Sequence, residues 1–255
     1  MSLVTPEIKK EFDERGFAVI PDVLSTSELE AYRRVFDCCV RDKDRELDER
    51  GVSEDGITLK GKRYFIHFPH RKYPELEHAL FNENMAGICR SILGDQVYLY
   101  WDQCVIKYKD EESYFAWHQD SGYGGVKDHA RYLTCWIALD DVHEANGTVY
   151  MLPWDRVPCT GRIEHYRSEK YKALVGYEGD DPGDPVIMKA GSIAIFTSHT
   201  LHHSGANTCN EPRRVYYTAY SKELIYRKED NQMNGVGTPF IKNGKRVTEL
   251  TLAKQ

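Results

Sequence analysis

The sequence predicts a mainly β protein with flanking α-helices, an antiparallel sandwich or barrel of the jelly-roll kind. Three observations lead there. Apolar residues recur at helical spacing in the first third of the chain, and from about residue 97 the period drops to two. The runs that follow are rich in Val, Ile, Tyr and Trp and are separated by Gly, Asn, Asp and Pro. Helices first and many short strands afterwards is the order expected of a β core with helices packed outside it.

Element by element, "PEIKKEFDERG" opens on Pro6, suited to a first helical turn, and stops at Gly16, a natural C-cap. "FAVIPDVL" is a short apolar strand interrupted by Pro21. Ser25 and Glu28 spell a capping box at the start of a long helix, with Leu29, Tyr32, Val35, Phe36, Cys39 and Val40 on one face. Its continuation "RDKDRELDER" (41–50) alternates in sign, as a solvated helix face does. "PELEHALFNENMAGICRSILG" is predicted as one helix from Pro74 to a stop at Gly94. Strands are then expected at "VYLYWDQCVIKYK", "RYLTCWIALDD", "GTVYML", "GSIAIF" and "RRVYYTAY". Asn146-Gly147 is expected to be a hairpin turn, and the acidic "EGDDPGDP" (178–185) a surface loop. With no internal repeat and no long linker, one domain is expected over 1–255, its first third helical and its β core at about 97–220.

Bulk composition removes several function classes. The 34 basic residues are scattered among 40 acidic ones, so no basic stripe suggests a nucleic-acid partner. No apolar run approaches 18 residues, so no membrane span is expected. Seven cysteines form no C-x-x-C pair, and the start of the chain has no apolar signal-like segment; reduced thiols and a cytoplasmic location are expected. Aromatics at 12% suit strands and the walls of a small-molecule pocket. Oligomeric state is not legible.

The chemistry is concentrated in two clusters. "AWHQDSGYG" (116–124) sets His118 two residues before Asp120, a pair expected about once by chance in a chain with ten histidines. The pair gains meaning from "SHTLHHSGANTCNEPRRVYYTAY" (198–220), which supplies further imidazoles. Two histidines and one carboxylate on one face of an ion is the donor set of non-haem Fe(II) oxygenases. From the residues alone, His199, His202 and His203 all stand as the second histidine. Arg213 begins a strand in the same cluster and could grip a carboxylate with two parallel hydrogen bonds. If it faces inward, period two sends Arg214 outward to solvent. The simpler alternative is that both arginines pair with surface acids. His67, His70, His78, His129, His143 and His165 are taken as surface or structural rather than as ligands.

"HQD", "LTCWIALDDVHEANGTVYMLP" and "LHHSGANTCNEPRRVYY", with the opening "EFDERGFAVIPDVLSTSELEAYRRVF", resemble the phytanoyl-CoA dioxygenase family of Fe(II)/2-oxoglutarate oxygenases over about residues 6–220. The resemblance implies a double-stranded β-helix, the jelly roll of the cupins, with iron at one mouth. It implies His118, Asp120 and His202 as iron ligands, and Arg213 as the clamp on the distal carboxylate of 2-oxoglutarate. Ser204, Trp136 and Gln103 follow as further cosubstrate contacts. His203 stands where the family usually has glycine, so its side chain reaches either the site or solvent. The cofactors implied are Fe(II), with 2-oxoglutarate and O2 as cosubstrates. The activity implied is oxidation of a small molecule, hydroxylation foremost, with release of succinate and CO2. Related halogenases lack the carboxylate ligand, so Asp120 argues against halogenation. Tyr100, Trp117, Tyr123 and His67 are candidate walls of the substrate pocket, with packing around the barrel the plain alternative. Two other classes compete: a Zn- or Mn-dependent cupin-like hydrolase or isomerase with the same ligands, which gives Arg213 no task, and a catalytically silent metal-binding scaffold.

Overall fold

The structure, a computed structural model, describes residues 2–123, 125–168 and 173–248. The helical third holds α1 (Pro6–Arg15), β1 (Phe17–Ile20), α2 (Thr26–Glu49), the small strands β2 (Glu54–Asp55), β3 (Thr58–Leu59) and β4 (Arg63–His67), then α3 (Glu77–Phe81) and α4 (Glu83–Leu93). The β part runs through β5 (Val97–Lys107), β6 (Phe115–His118), β7 (Leu133–Ala138), β8 (Val149–Met151), β9 (Tyr166–Ser168), β10 (Ala173–Val175), β11 (Asp184–Pro185), β12 (Ile193–Thr197), β13 (His202–Ser204), β14 (Arg213–Ser221), β15 (Thr238–Lys242) and β16 (Lys245–Arg246).

The strands form a major antiparallel sheet in the order β1-β12-β7-β14-β5-β4-β3-β2 and a minor one in the order β11-β8-β13-β6. This two-sheet jelly roll with helices outside is the predicted fold. Alternation decides what each strand shows to either side. On β14, Tyr216 and Tyr220 join the large core under the helices, where Phe36 of α2 meets Tyr216 edge-on at 5.8 Å. Arg213 and Tyr217 point the other way, into a cavity.

The caps form as the sequence indicates. Gly16 ends α1 at φ 82°, and its N–H donates to the carbonyl of Phe12. Ser25 and Glu28 make both halves of the capping box, and Leu29, Tyr32, Val35, Phe36 and Cys39 are buried. The acidic tail of α2 is partly engaged, since Lys43 pairs with Asp55 and Asp48 with Lys60 on the adjoining hairpin.

Three expectations need correction. The single helix expected over Pro74–Gly94 is broken at Asn82, which is extended (φ −73°, ψ 172°) and accepts from the N–H of Met85 as the N-cap of α4. A side chain that satisfies a free amide at a helix start favours a new helix over continuing the old one. Asn146-Gly147 is not a two-residue hairpin, because β7 and β8 belong to different sheets. Asn146 is instead buried, accepting from the His143 N–H and donating to the Asp141 carbonyl in a crossing between sheets. The "EGDDPGDP" segment is not wholly loop, since Asp184–Pro185 pairs with β8. Asn82→Ala should lower folding stability by about 1 kcal/mol, the usual worth of such a cap; an unchanged denaturant midpoint would mean the cap does not hold α4.

Candidate active site

His118 ends β6 and His202 begins β13, and the two strands pair so that these residues lie directly opposite each other. Their rings are 4.3 Å apart between centroids. Asp120 follows in the turn after β6, with Oδ1 3.6 Å from Nε2 of His202. One donor atom from each of the three residues lies within 4.8 Å of the others, the only such group among the described residues. Backbone carbonyls set the tautomers. Nδ1 of His118 donates to Ala116 (2.8 Å) and Nδ1 of His202 to Thr200 (3.0 Å), which leaves both Nε2 lone pairs free to face an ion. The hydroxyls of Tyr217 (2.9 Å) and Thr134 (3.0 Å) donate to Oδ2 of Asp120, so Oδ1 is the oxygen turned to the histidines. Burial, and secondarily the neighbouring His202, holds the His118 imidazole well below its usual range, which favours the neutral, ligating form.

Between His118 and Asp120, Gln119 is fully buried. It donates to the carbonyls of Gly161 (2.8 Å) and His199 (2.7 Å) and accepts from the N–H of Ile163 (2.9 Å), while its own N–H donates to Nε2 of His165 (2.9 Å). The middle residue of H-x-D thus ties the loop around residue 161 and the approach to β13 to the ligand turn. His165 is structural, as expected.

The cavity beside these residues encloses about 400 Å³. At one end Arg213 is 1% exposed with its guanidinium carbon 5.1 Å from the ring centre of Trp136. Its Nε is buried without a hydrogen-bond partner, and among the described residues no acid pairs with it. Burial pulls its pKa down to about 9, so it stays charged at neutral pH at a cost that only an anion would offset. Arg214, one residue on, faces the other way but not to open solvent, a correction: it grips both oxygens of Asp140 at 2.9 Å. Lys107 stands opposite Arg213 in the ladder, 0% exposed, donating to Ser204 Oγ (2.7 Å) and to the carbonyls of Ser113 and Gly205. Arg63 is next in this row, but it does not line the cavity and is engaged by the Ile57 carbonyl and Ser113 Oγ.

Of the residues singled out in the sequence, Ser204, Trp136, Gln103, Tyr100, Tyr123 and His67 all line this cavity with the three candidate ligands and Arg213. Trp117 does not. It sits on the outer face of the minor sheet against His203 (4.3 Å) and Tyr177 (5.8 Å), because at the end of β6, past an irregularity in its pairing with β13, His118 takes the inner side and its neighbour the outer. His203 does not reach the site; its half-buried ring lies between Trp117 and Tyr150, stacked on the latter at 4.7 Å, and burial lowers its pKa to about 4. His199 also lies outside the cluster, with Nδ1 on the Thr160 carbonyl.

Lys107 and Asn234 line the cavity too and were missed in the sequence. Lys107 is four residues from Gln103 on β5, so period two alone puts both on one face. Asn234 lies past the expected core, in a Gly-rich turn that folds back over β5. There its amide donates to the Tyr100 hydroxyl (2.7 Å), and the N–H of Val236 donates to the Tyr100 carbonyl. Gly235, at φ 84°, must lack a side chain, since a Cβ would collide with that carbonyl.

The charge arrangement has a measurable consequence. Arg213→Leu should leave the ligand-free protein as stable as the wild type or raise its Tm by a few degrees, about 2–4 °C per kcal/mol at this size. Arg214→Leu, which strands Asp140, should lower it; the opposite order would mean that Arg213 has a native acid partner.

Comparison with known proteins gives the family. The sequence pattern of "Phytanoyl-CoA dioxygenase (PhyH)" matches residues 12–215. An ectoine dioxygenase of Halomonas elongata is 27% identical over 241 residues, covering 87% of this chain and 69% of its own, and one of Bordetella parapertussis is 24% identical over 247 residues, covering 88% and 76%. The crystal structure of the non-haem α-ketoglutarate-dependent carbocyclase SnoK from nogalamycin biosynthesis superposes with a TM-score of 0.67 at 21% identity, covering 88% of this chain and 86% of that one. Two imidazoles, a carboxylate and a buried cation lacking an acid fit ferrous iron and a keto diacid. The chain belongs to the phytanoyl-CoA dioxygenase family and is a 2-oxoglutarate-dependent non-haem iron dioxygenase.

Proposed function

We propose that the protein hydroxylates a small molecule, with His118, Asp120 and His202 holding Fe(II) and Arg213 holding the distal carboxylate of 2-oxoglutarate. The observation that carries the reading is the shared cavity: two free Nε2 atoms and one carboxylate oxygen converge in it, and the unpaired Arg213 faces it. Bound there, iron and 2-oxoglutarate supply O2 activation, with succinate and CO2 as by-products. The chain's own groups do the positioning. Ala116 and Thr200 fix the ligating nitrogens, and Tyr217 and Thr134 fix the ligating carboxylate oxygen. Ser204 accepts from the Lys107 ammonium and so holds that second cation beside Arg213. Trp136 backs the guanidinium, and Gln103 lies across from Tyr217 near Asp120. Asp120 would fill the place that a halide takes in related halogenases, which supports hydroxylation over halogenation.

At 24–27% identity we carry over the reaction class from the relatives, not ectoine as substrate. No helix among the described residues is long and apolar enough to cross a membrane, and all seven cysteines are free. The free thiols support a cytoplasmic location. We read the chain as one domain, because both sheets wall the same cavity.

His118→Ala should abolish iron-dependent succinate formation; turnover that persists would take it out of the metal site. Arg213→Leu should raise the 2-oxoglutarate requirement roughly a hundredfold, from the loss of charged hydrogen bonds worth about 3 kcal/mol, with Arg214→Leu near wild type. Equal effects would mean that the wrong arginine was chosen. Gln119→Leu keeps the bulk but not the hydrogen bonds, and should weaken Fe(II) binding about tenfold by equilibrium dialysis; unchanged affinity would leave Gln119 without a positioning role.

A further inference from the structure

The cavity is polarised along its length. The ladder pairs Arg213 with Lys107 at one end, Tyr217 with Gln103 four residues further along, and Ala219 with Trp101 beyond that. At about 3.3 Å per residue, the Tyr217 level lies some 13 Å from the Arg213 level, and Asp120 accepts its hydrogen bond there. Both lysine and arginine side chains that line the cavity are at the first end.

Beyond the candidate ligands the described lining carries no fixed charge. Its walls are Tyr100, Trp101, Tyr123 and Tyr132, and its polar groups are His67, Gln103 and Asn234. Desolvation of the imidazole lowers the pKa of His67, which favours its neutral form. The ladder explains why two neighbouring rings face this end. Ala219 pairs with Trp101 and Tyr220 with Leu99, so Tyr100 is the extra residue of a β-bulge. Strict alternation would send it to the helical side; the bulge turns it inward beside Trp101. Trp101 is braced by Phe68, 4.4 Å away, and Phe68 by Arg71, 4.6 Å from its ring centre. The Gln103 carbonyl accepts from the Trp101 N–H (3.4 Å), and the Gln103 side chain is also hydrogen-bonded to His67, so the two polar groups stand together at this end.

We propose that the substrate is an uncharged, ring-bearing molecule that lies against Trp101 and Tyr100 and presents a carbonyl or hydroxyl oxygen to Gln103 and His67. The inference rests on the iron and 2-oxoglutarate reading above, because that reading commits Arg213 and Lys107 to the cosubstrate. A carboxylate or phosphate in the aromatic half would meet no counter-charge, and whatever hydration it gave up there would go uncompensated. A flat neutral ring loses little on leaving water and gains stacking on braced rings.

The test uses the Fe(II)-loaded protein, held anaerobically with saturating 2-oxoglutarate, in calorimetric titrations of 2-naphthol, 2-naphthoate, 2-naphthyl phosphate and ectoine, the last a carboxylate-bearing ring. 2-Naphthol should bind at least about tenfold more tightly than each of the others, a difference of about 1.4 kcal/mol. Trp101→Ala should weaken 2-naphthol by a similar factor and leave 2-oxoglutarate binding unchanged. Equal or tighter binding of any anion-bearing probe, indifference of 2-naphthol to Trp101→Ala, or no measurable binding of 2-naphthol would overturn the substrate assignment alone. Failure of 2-oxoglutarate to bind the iron-loaded protein would instead overturn the reading beneath it.

Discussion

The pairing of β6 with β13 governs the site. These strands come from segments more than eighty residues apart, yet the ladder places His118 and His202 at the same level. A slip of one residue would turn each ligand to the outer face and bring in its neighbour, and those neighbours are Trp117 and His203. Both neighbours are packed against each other and against Tyr150 and Tyr177 outside the sheet. The outer packing therefore holds the inner register: His203 never touches the candidate metal site, yet it helps to keep His202 in place. Gln119 adds a second tether from the turn that carries Asp120 to the chain entering β13.

The second constraint is electrostatic. Arg213 and Lys107 are adjacent, buried and of like sign, and Arg213 ranks second among the influences, after burial, that lower the pKa of Lys107. Folding alone gains nothing from this arrangement. On the proposed function it is preorganisation, in which the desolvation of two cations is met in advance so that a dianionic cosubstrate would find its counter-charge fixed in a medium of low dielectric constant. Lys107 is only partly relieved by Ser204 and the carbonyls of Ser113 and Gly205, and Arg213 by the face of Trp136 and, without a direct contact, by the charge of Asp140. The contrast with Arg214, held by Asp140, shows how the same residue type is treated when its role is structural.

Much of this was legible in the sequence because the informative signals were local. The change of period near residue 97 gave the class of fold, and the capping box at Ser25 placed α2. Period two separated Arg213 from Arg214, while the choice of His202 over His199 and His203 needed the family resemblance. What escaped depended on distance or on irregularity. Trp117 was assigned to the pocket because it adjoins His118 in the chain, although adjacency on a strand means opposite faces. Lys107 was available by counting from Gln103 and was passed over. Asn234 could not be found by periodicity, since a turn outside the expected core brings it back over β5. The break at Asn82 was spelled out in "FNEN", where an asparagine capping signal outweighs continuous helical spacing.

The bulge at Tyr100 separates two properties that a regular ladder would couple. Removing one residue between Leu99 and Trp101 would straighten the strand at that point only; from Trp101 to Lys107 the partners on β14 would be unchanged. The oxidising end of the cavity and its aromatic end can thus diverge independently along one continuous strand. A lineage could acquire a new substrate by adding or losing a single residue there, without disturbing a hydrogen bond around the ligands.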